Sequence, residues 1–216
     1  MSRLVLIRHA QASFGTDDYD RLSPLGHQQA DWLAGYFRAH GLRFDRVIRG
    51  AMRRHRETAD AVMKHALGPA PEVDARLNEI DYDTLEGDYR RATGESPAAG
   101  RPDFLCSFPR VFEGWAQGDI ATAHESFAEF EARVAAAIDD ALGAGDTLVV
   151  TSGGVIGMTL RRALGLDVRT TAELLLMIHN ASVHEFVREN GQLRLSLFNA
   201  SPHFDPTDRA HARTYI

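Results

Sequence analysis

Leu4-Val5-Leu6-Ile7-Arg8-His9-Ala10-Gln11-Ala12-Ser13 is the stretch on which the reading of this chain turns. Four consecutive apolar residues form a short continuous run, the pattern of a buried β-strand. The run ends abruptly in a guanidinium and an imidazole. In sheets built from strands alternating with helices, ligands bind beyond the carboxyl ends of the strands. Arg8 and His9 therefore stand where chemistry is expected.

The flanking sequence supplies that alternation. After the first strand comes a loop with Gly15, Asp17, Asp18 and Asp20, then Ser23-Pro24, an N-cap followed by proline at the first helical position. Ala30, Leu33, Ala34 and Phe37 continue a helical period, and Gly41 is a plausible stop. Val47-Ile48 reads as a second strand and residues 52–65 as a helix ended by Gly68-Pro69. Residues 85–118 lack clear periodicity and read as an insertion or lid with short helical pieces. Phe127, Phe130, Val134, Ile138 and Leu142 form one apolar helical stripe closed by Gly143 and Gly145. Residues 147–150 read as a strand, and Gly153-Gly154 opens a helix that runs to about 164 and stops at Gly165. Residues 182–187 and 193–197 read as two strands joined by a turn at Asn190-Gly191. The tail from Ser201 reads as polar and irregular. The sum is an α/β fold with a mostly parallel sheet, laid out as a single domain over residues 1–216.

Composition narrows the function classes. A chain of 216 residues with 44% hydrophobic and 25% charged residues can bury a full core. The net charge of -6 argues against a nucleic-acid partner, although clustered arginines can still make a local cationic pocket. The one cysteine, Cys106, permits no intrachain disulfide and no cysteine-based metal site, and is expected as a small buried hydrophobe. The apolar run near the N-terminus is too short for a signal peptide, and no run approaches a membrane span. The expectation is a cytoplasmic protein with no membrane partner.

The ends of the candidate strands carry the reactive side chains. Arginine at Arg8 suits a phosphate, because its planar fork makes two parallel hydrogen bonds to the oxygens. A histidine there can attack phosphorus through one ring nitrogen if a carbonyl holds the proton on the other. A second Arg-His pair, Arg54-His55, does not directly follow a buried strand. Arg49, Arg53, Arg54 and Arg56 crowd the second strand end. Arg53 and Arg56 fit a solvated helix face, while one arginine near the helix start can turn back into the cleft. Glu79 and Asp81 offer two carboxyl groups. A carboxyl beside a bound phosphate ester can protonate the leaving oxygen if burial or the phosphate dianion raises its pKa. Thr151-Ser152-Gly153-Gly154 places small residues at a helix start, where backbone N–H groups and the helix dipole attract an anion.

These segments, in this order, resemble the histidine phosphatase superfamily, the phosphoglycerate mutase-like proteins. Arg8-His9-Ala10 resembles the family's Arg-His-Gly, and residues 22–30 its lead into the first helix. Thr58-Ala59 selects Arg54 as the family's second arginine. Leu77-Asn78-Glu79, upstream of Glu86-Gly87, selects Glu79 as its proton donor. Ser152-Gly153-Gly154 resembles the family's His-Gly-Gly, and Asn180 and Ser182 fall in a recognisable run before a late strand. The resemblance implies a three-layer αβα sandwich and a phosphomonoester hydrolase. In it His9 accepts the phosphoryl group, Arg8 and Arg54 hold its oxygens, Glu79 serves as acid and base, and Ser13, Ser152 and Gly153 add hydrogen bonds. It implies no metal or other cofactor, and a small phosphate monoester as partner. Two departures stand out: Ala10 replaces a glycine, and Ser152 replaces the family's second histidine. His179, His184 and His203 are the candidates to compensate. The competing readings are mutase-type phosphoryl transfer, with Arg90, Arg91, Arg101 and Arg110 as a basic lid, and a phosphate-ester-binding protein with little turnover.

Overall fold

The computed structural model describes residues 2–13, 18–65, 67–96, 100–120, 125–143 and 145–215. Gly15 and Asp17 of the first loop lie outside them. Six strands form one sheet in the order β3-β2-β4-β1-β5-β6: β1 (Arg3–Arg8), β2 (Arg46–Arg49), β3 (Glu72–Val73), β4 (Thr147–Thr151), β5 (Val183–Glu189) and β6 (Gln192–Ala200). The pairs β1·β4, β2·β4 and β2·β3 are parallel, and β1·β5 and β5·β6 are antiparallel. The first strand is thus central, with Leu4, Leu6 and Ile7 fully buried.

Alternation along β1 feeds two cores. Leu4 and Leu6 join the cluster formed with α4 (Arg101–Gln117), α5 (Phe127–Ala141), α6 (Gly153–Leu164) and α7 (Val168–Leu175). Val5 and Ile7 join the opposite cluster, with α1 (Pro24–Ala39) and α2 (Arg53–Met63). A central strand covered on both faces must be apolar throughout, which is why residues 4–7 do not alternate. Ser23 caps α1 by accepting from Gly26 N, with Pro24 in the first turn as the sequence predicts. Among the described residues, no helix is long and apolar enough to cross a membrane.

The structure departs from the sequence reading in several places. Residues 85–118 are not short helical pieces. They belong mostly to α3 (Tyr82–Thr93) and the 17-residue α4. The stripe Phe108, Phe112, Trp115 does follow a helical period and packs into the core, but Pro109 and Gly114 inside α4 read as breakers. Cys106 is exposed, not buried, because it sits on the face of α4 opposite that stripe. The tail is not irregular: two short 3₁₀ helices, Pro202–Phe204 and Thr207–Ala212, bury Phe204 and Ala212 against α1 and its neighbours. Gln29 donates to Ala212 O and Thr214 Oγ1, which anchors the tail. The strand β3 and helix α7 were not foreseen.

Candidate active site

His9 follows β1 directly and is 4% exposed. Its backbone is fixed from both sides: its N–H donates to Thr151 O at 2.8 Å, and its carbonyl accepts from Ala181 N. The ring Nδ1 lies 2.8 Å from Ala10 O. A carbonyl can only accept, so Nδ1 carries the proton and Nε2 keeps its lone pair. Burial holds the imidazole well below the ordinary histidine range, and Arg54 and Arg8 push it further the same way. The ring is neutral and oriented, the form the sequence reading asks of a phosphoryl acceptor.

Two guanidiniums flank it. Arg8, the last residue of β1, donates from Nη1 to Ile178 O, while its buried Nε has no partner among the described residues. Arg54 is 4% exposed, in the first turn of α2, whereas Arg53 and Arg56 face solvent. Its Nη1 donates to Asp20 Oδ1 at 2.7 Å, and its buried Nε is also unpartnered among the described residues. Buried guanidinium N–H groups without acceptors are costly and suit a site that takes an anion. Thr58 joins the two halves: its hydroxyl donates to Arg54 O at 2.8 Å and accepts from Ala10 N at 3.1 Å. That pair of bonds gives a physical reason for threonine four residues after the arginine.

Glu79 arrives on an extended segment tied down on three sides. Thr151 Oγ1 donates to Leu77 O, Arg133 Nη1 donates to Arg76 O and Asn78 O, and Asn78 Oδ1 accepts from Ala51 N. Glu79 Oε2 accepts from Gly154 N at 3.0 Å at the start of α6. A Cβ on Gly154 would lie 2.1 Å from Glu79 Oε1, so only glycine leaves room for this seat. Asp81, the other candidate acid, instead caps α3 through Thr84 N and Thr84 Oγ1. A cleft opens beside Glu79, walled by Ile80, Asp81, Thr84, Leu85, Trp115 and Glu125.

Gly153 lies against Arg8 and Glu79: a Cβ there would sit 3.8 Å from Arg8 Nε and 3.9 Å from Glu79 Oε2. Ser152 is fully buried at the N-cap of α6 but makes no cap bond; its Oγ lies 2.6 Å from His55 Nε2. The rings of His55 and His9 are 5.7 Å apart. None of the three histidines named as possible compensators makes that contact. His184 is held in the sheet between Ser182 Oγ and Asn199 N, His203 lies tilted against Phe204 in the tail, and His179 lies against Tyr215. Sequence reasoning missed His55 because its Arg-His pair does not directly follow a buried strand. The available signal was the helical face itself, since His55 shares the buried face of α2 with Thr58, Ala59 and Val62. Ser13 is buried and lines a different cleft, with Arg21, His27, Arg53 and Glu57.

Over 70 residues the chain is 33% identical to a broad-specificity phosphatase of Saccharomyces cerevisiae, the match covering 30% of each chain. Over 67 residues it is 37% identical to the mitochondrial serine/threonine-protein phosphatase PGAM5 of Rattus norvegicus, covering 30% of this chain and 23% of that one. The matched stretch thus spans less than a third of these relatives. Among solved structures, phosphoglycerate mutase from Bacillus anthracis superposes with a TM-score of 0.71 at 21% identity, over 94% of each chain. Phosphoserine phosphatase from Entamoeba histolytica, in complex with 3-phosphoglyceric acid, gives 0.69 at 20% identity, over 94% of this chain and 99% of that one. At such identities the likeness establishes the fold alone. The profile of the histidine phosphatase superfamily, branch 1, matches residues 4–201, and the chain belongs to that superfamily.

Proposed function

We propose that the chain hydrolyses small phosphomonoesters through a phosphohistidine on His9. The observation that carries this reading is the neutral His9 ring, its Nδ1 proton held by Ala10 O so that Nε2 keeps its lone pair, with the buried guanidiniums of Arg8 and Arg54 near enough to act on its charge. In the first step Nε2 forms a bond to phosphorus as the ester P–O bond breaks, and the Glu79 carboxyl delivers its proton to the departing alcohol oxygen. Arg8 and Arg54 hold the equatorial oxygens and offset the charge that develops there. In the second step the Glu79 carboxylate takes a proton from water as the water oxygen bonds to phosphorus. The P–N bond then breaks, and neutral His9 and inorganic phosphate are restored. The electrostatic part is carried by guanidiniums, so this route needs no metal.

Mutase-type transfer is the weaker reading. It calls for a cationic lid, yet the arginines of residues 88–118 are largely matched. Arg90 pairs with Glu86, Arg91 with Asp88 and Arg110 with Glu95, while Arg101 lies over the Tyr215 ring. The cleft beside Glu79 also carries Asp81 and Glu125, the latter paired with Arg133, which is a poor seat for a carboxylated substrate. Turnover of p-nitrophenyl phosphate by the wild type, abolished in His9→Ala, is the expected result. Equal turnover in both proteins would overturn the proposal. Interconversion of phosphoglycerate isomers that depends on added diphosphoglycerate would favour the mutase.

A further inference from the structure

Ser152 occupies the N-cap of α6 without doing the usual work of an N-cap serine. Such a hydroxyl normally accepts from a backbone N–H of the first turn. Here the carboxylate of Glu79 takes Gly154 N instead, and the serine hydroxyl is turned to His55. His55 is fully buried, and a Cβ on Gly50 would lie 2.1 Å from its Nδ1, so the backbone makes room for the ring. Among the described residues Nε2 has one partner, Ser152 Oγ, and Nδ1 has none. Burial and the nearby cations Arg54 and Arg49 keep the ring neutral, so it carries a single proton. With that proton on Nε2, the ring donates its one hydrogen to Ser152. The proton on Nδ1 would instead leave a buried N–H unsatisfied, the costlier orphan. Ser152, accepting from His55, then keeps its own O–H as a donor, and the next residue, Gly153, is the one that lies against Arg8 and Glu79.

We propose that His55 is a positioning residue of the phosphoryl transfer: its Nε2–H donates to Ser152 Oγ and aims the serine O–H at a non-bridging oxygen of the transferring phosphoryl group. No proton changes owner in this contact; the serine hydrogen bond shortens as charge builds on the oxygen. The inference rests on His9 as acceptor, the reading given above.

The test uses the full chain with His55→Leu, His55→Asn, His55→Gln, Ser152→Ala and the double variant Ser152→Ala/His55→Leu. Removing an oriented donor to a developing anion lowers kcat by roughly tenfold to a hundredfold, with KM little changed. Leu and Asn should both show this loss, because neither places a donor at the Nε2 position. Gln, whose amide reaches that position, should recover most of the rate. The double variant should be no slower than the slower single variant, since the two side chains act as one unit. Orthovanadate affinity, measured by calorimetry, should fall and recover in the same order, which keeps the idea testable if His55→Leu folds poorly or turnover is low. Full activity and vanadate affinity in His55→Leu or His55→Asn would overturn the inference, as would losses that multiply in the double variant. Loss in those variants together with full activity in His9→Ala would instead refute the acceptor assignment.

Discussion

Replacing Gly154 by alanine separates the role of Glu79 from that of the phosphate-binding groups. The new methyl would lie 2.1 Å from Glu79 Oε1, against the 3.0 Å below which such contacts are not found, with Phe130 Cζ 3.3 Å away on another side. The carboxyl must therefore move by roughly 1 Å, and a displacement of that size at a reacting group is worth on the order of a hundredfold in rate. The same change removes a helix glycine, which by itself stabilises by up to about 1 kcal/mol, so slower turnover would not reflect unfolding. The assay is kcat/KM, which reports the chain of events up to departure of the alcohol. For an alkyl phosphate, whose leaving oxygen needs a proton, the loss should approach the hundredfold figure. For p-nitrophenyl phosphate, whose leaving group departs as an anion, the loss should stay within a fewfold. Equal losses for both esters, or no loss for the alkyl ester, would refute Glu79 as proton donor.

Thr58→Val keeps the shape but leaves Ala10 N, a buried donor, without its acceptor; we expect about 1–3 kcal/mol lower stability in urea titration and weaker activity, because the loop carrying His9 loses its tie to Arg54. Burial holds His184 and His203 down at about 3, far below the ordinary histidine value. The unfolded chain therefore binds protons that the native one refuses, so stability falls as pH drops from about 6.5 towards 3, by up to about 1.4 kcal/mol per pH unit for each ring. His203→Leu should flatten the slope of unfolding free energy against pH by about that amount, and an unchanged slope would remove His203 from the account. His9 is held well below the ordinary range too, so kcat/KM should keep its basic-form plateau down past pH 6; an acidic limb centred near 6.5 would contradict the neutral, buried ring.

The sequence was most legible where one physical cause dominated. Burial on both faces wrote itself into residues 4–7 as an unbroken apolar run, and the cap at Ser23-Pro24 marked the start of α1. Arg8, His9, Arg54 and Glu79 could be singled out as candidates because each stands at a strand end or beside a diagnostic neighbour. What failed was of another kind. The helix α4 hid behind Pro109 and Gly114, since the residues that punctuate a loop also fit a helix held by tertiary packing. The two-residue β3 has both side chains exposed and no hydrophobic pattern to detect. The tail is ordered by Gln29 and Thr214, contacts between residues 185 positions apart that no local window can register. The pairing of His55 with Ser152, 97 positions apart, is equally non-local, and it makes a seemingly idle Arg-His repeat part of the site.

The central claim is that His9 becomes covalently phosphorylated. Mixing enzyme with a phosphomonoester, quenching in alkali to preserve phosphoramidate bonds and mapping the modified peptide by mass spectrometry tests it most directly. The account predicts one phosphoryl group on the His9 imidazole, absent from His9→Ala and longer-lived in Glu79→Gln, where water lacks its base. A phosphoryl group on another residue, or one that persists in His9→Ala, would contradict it.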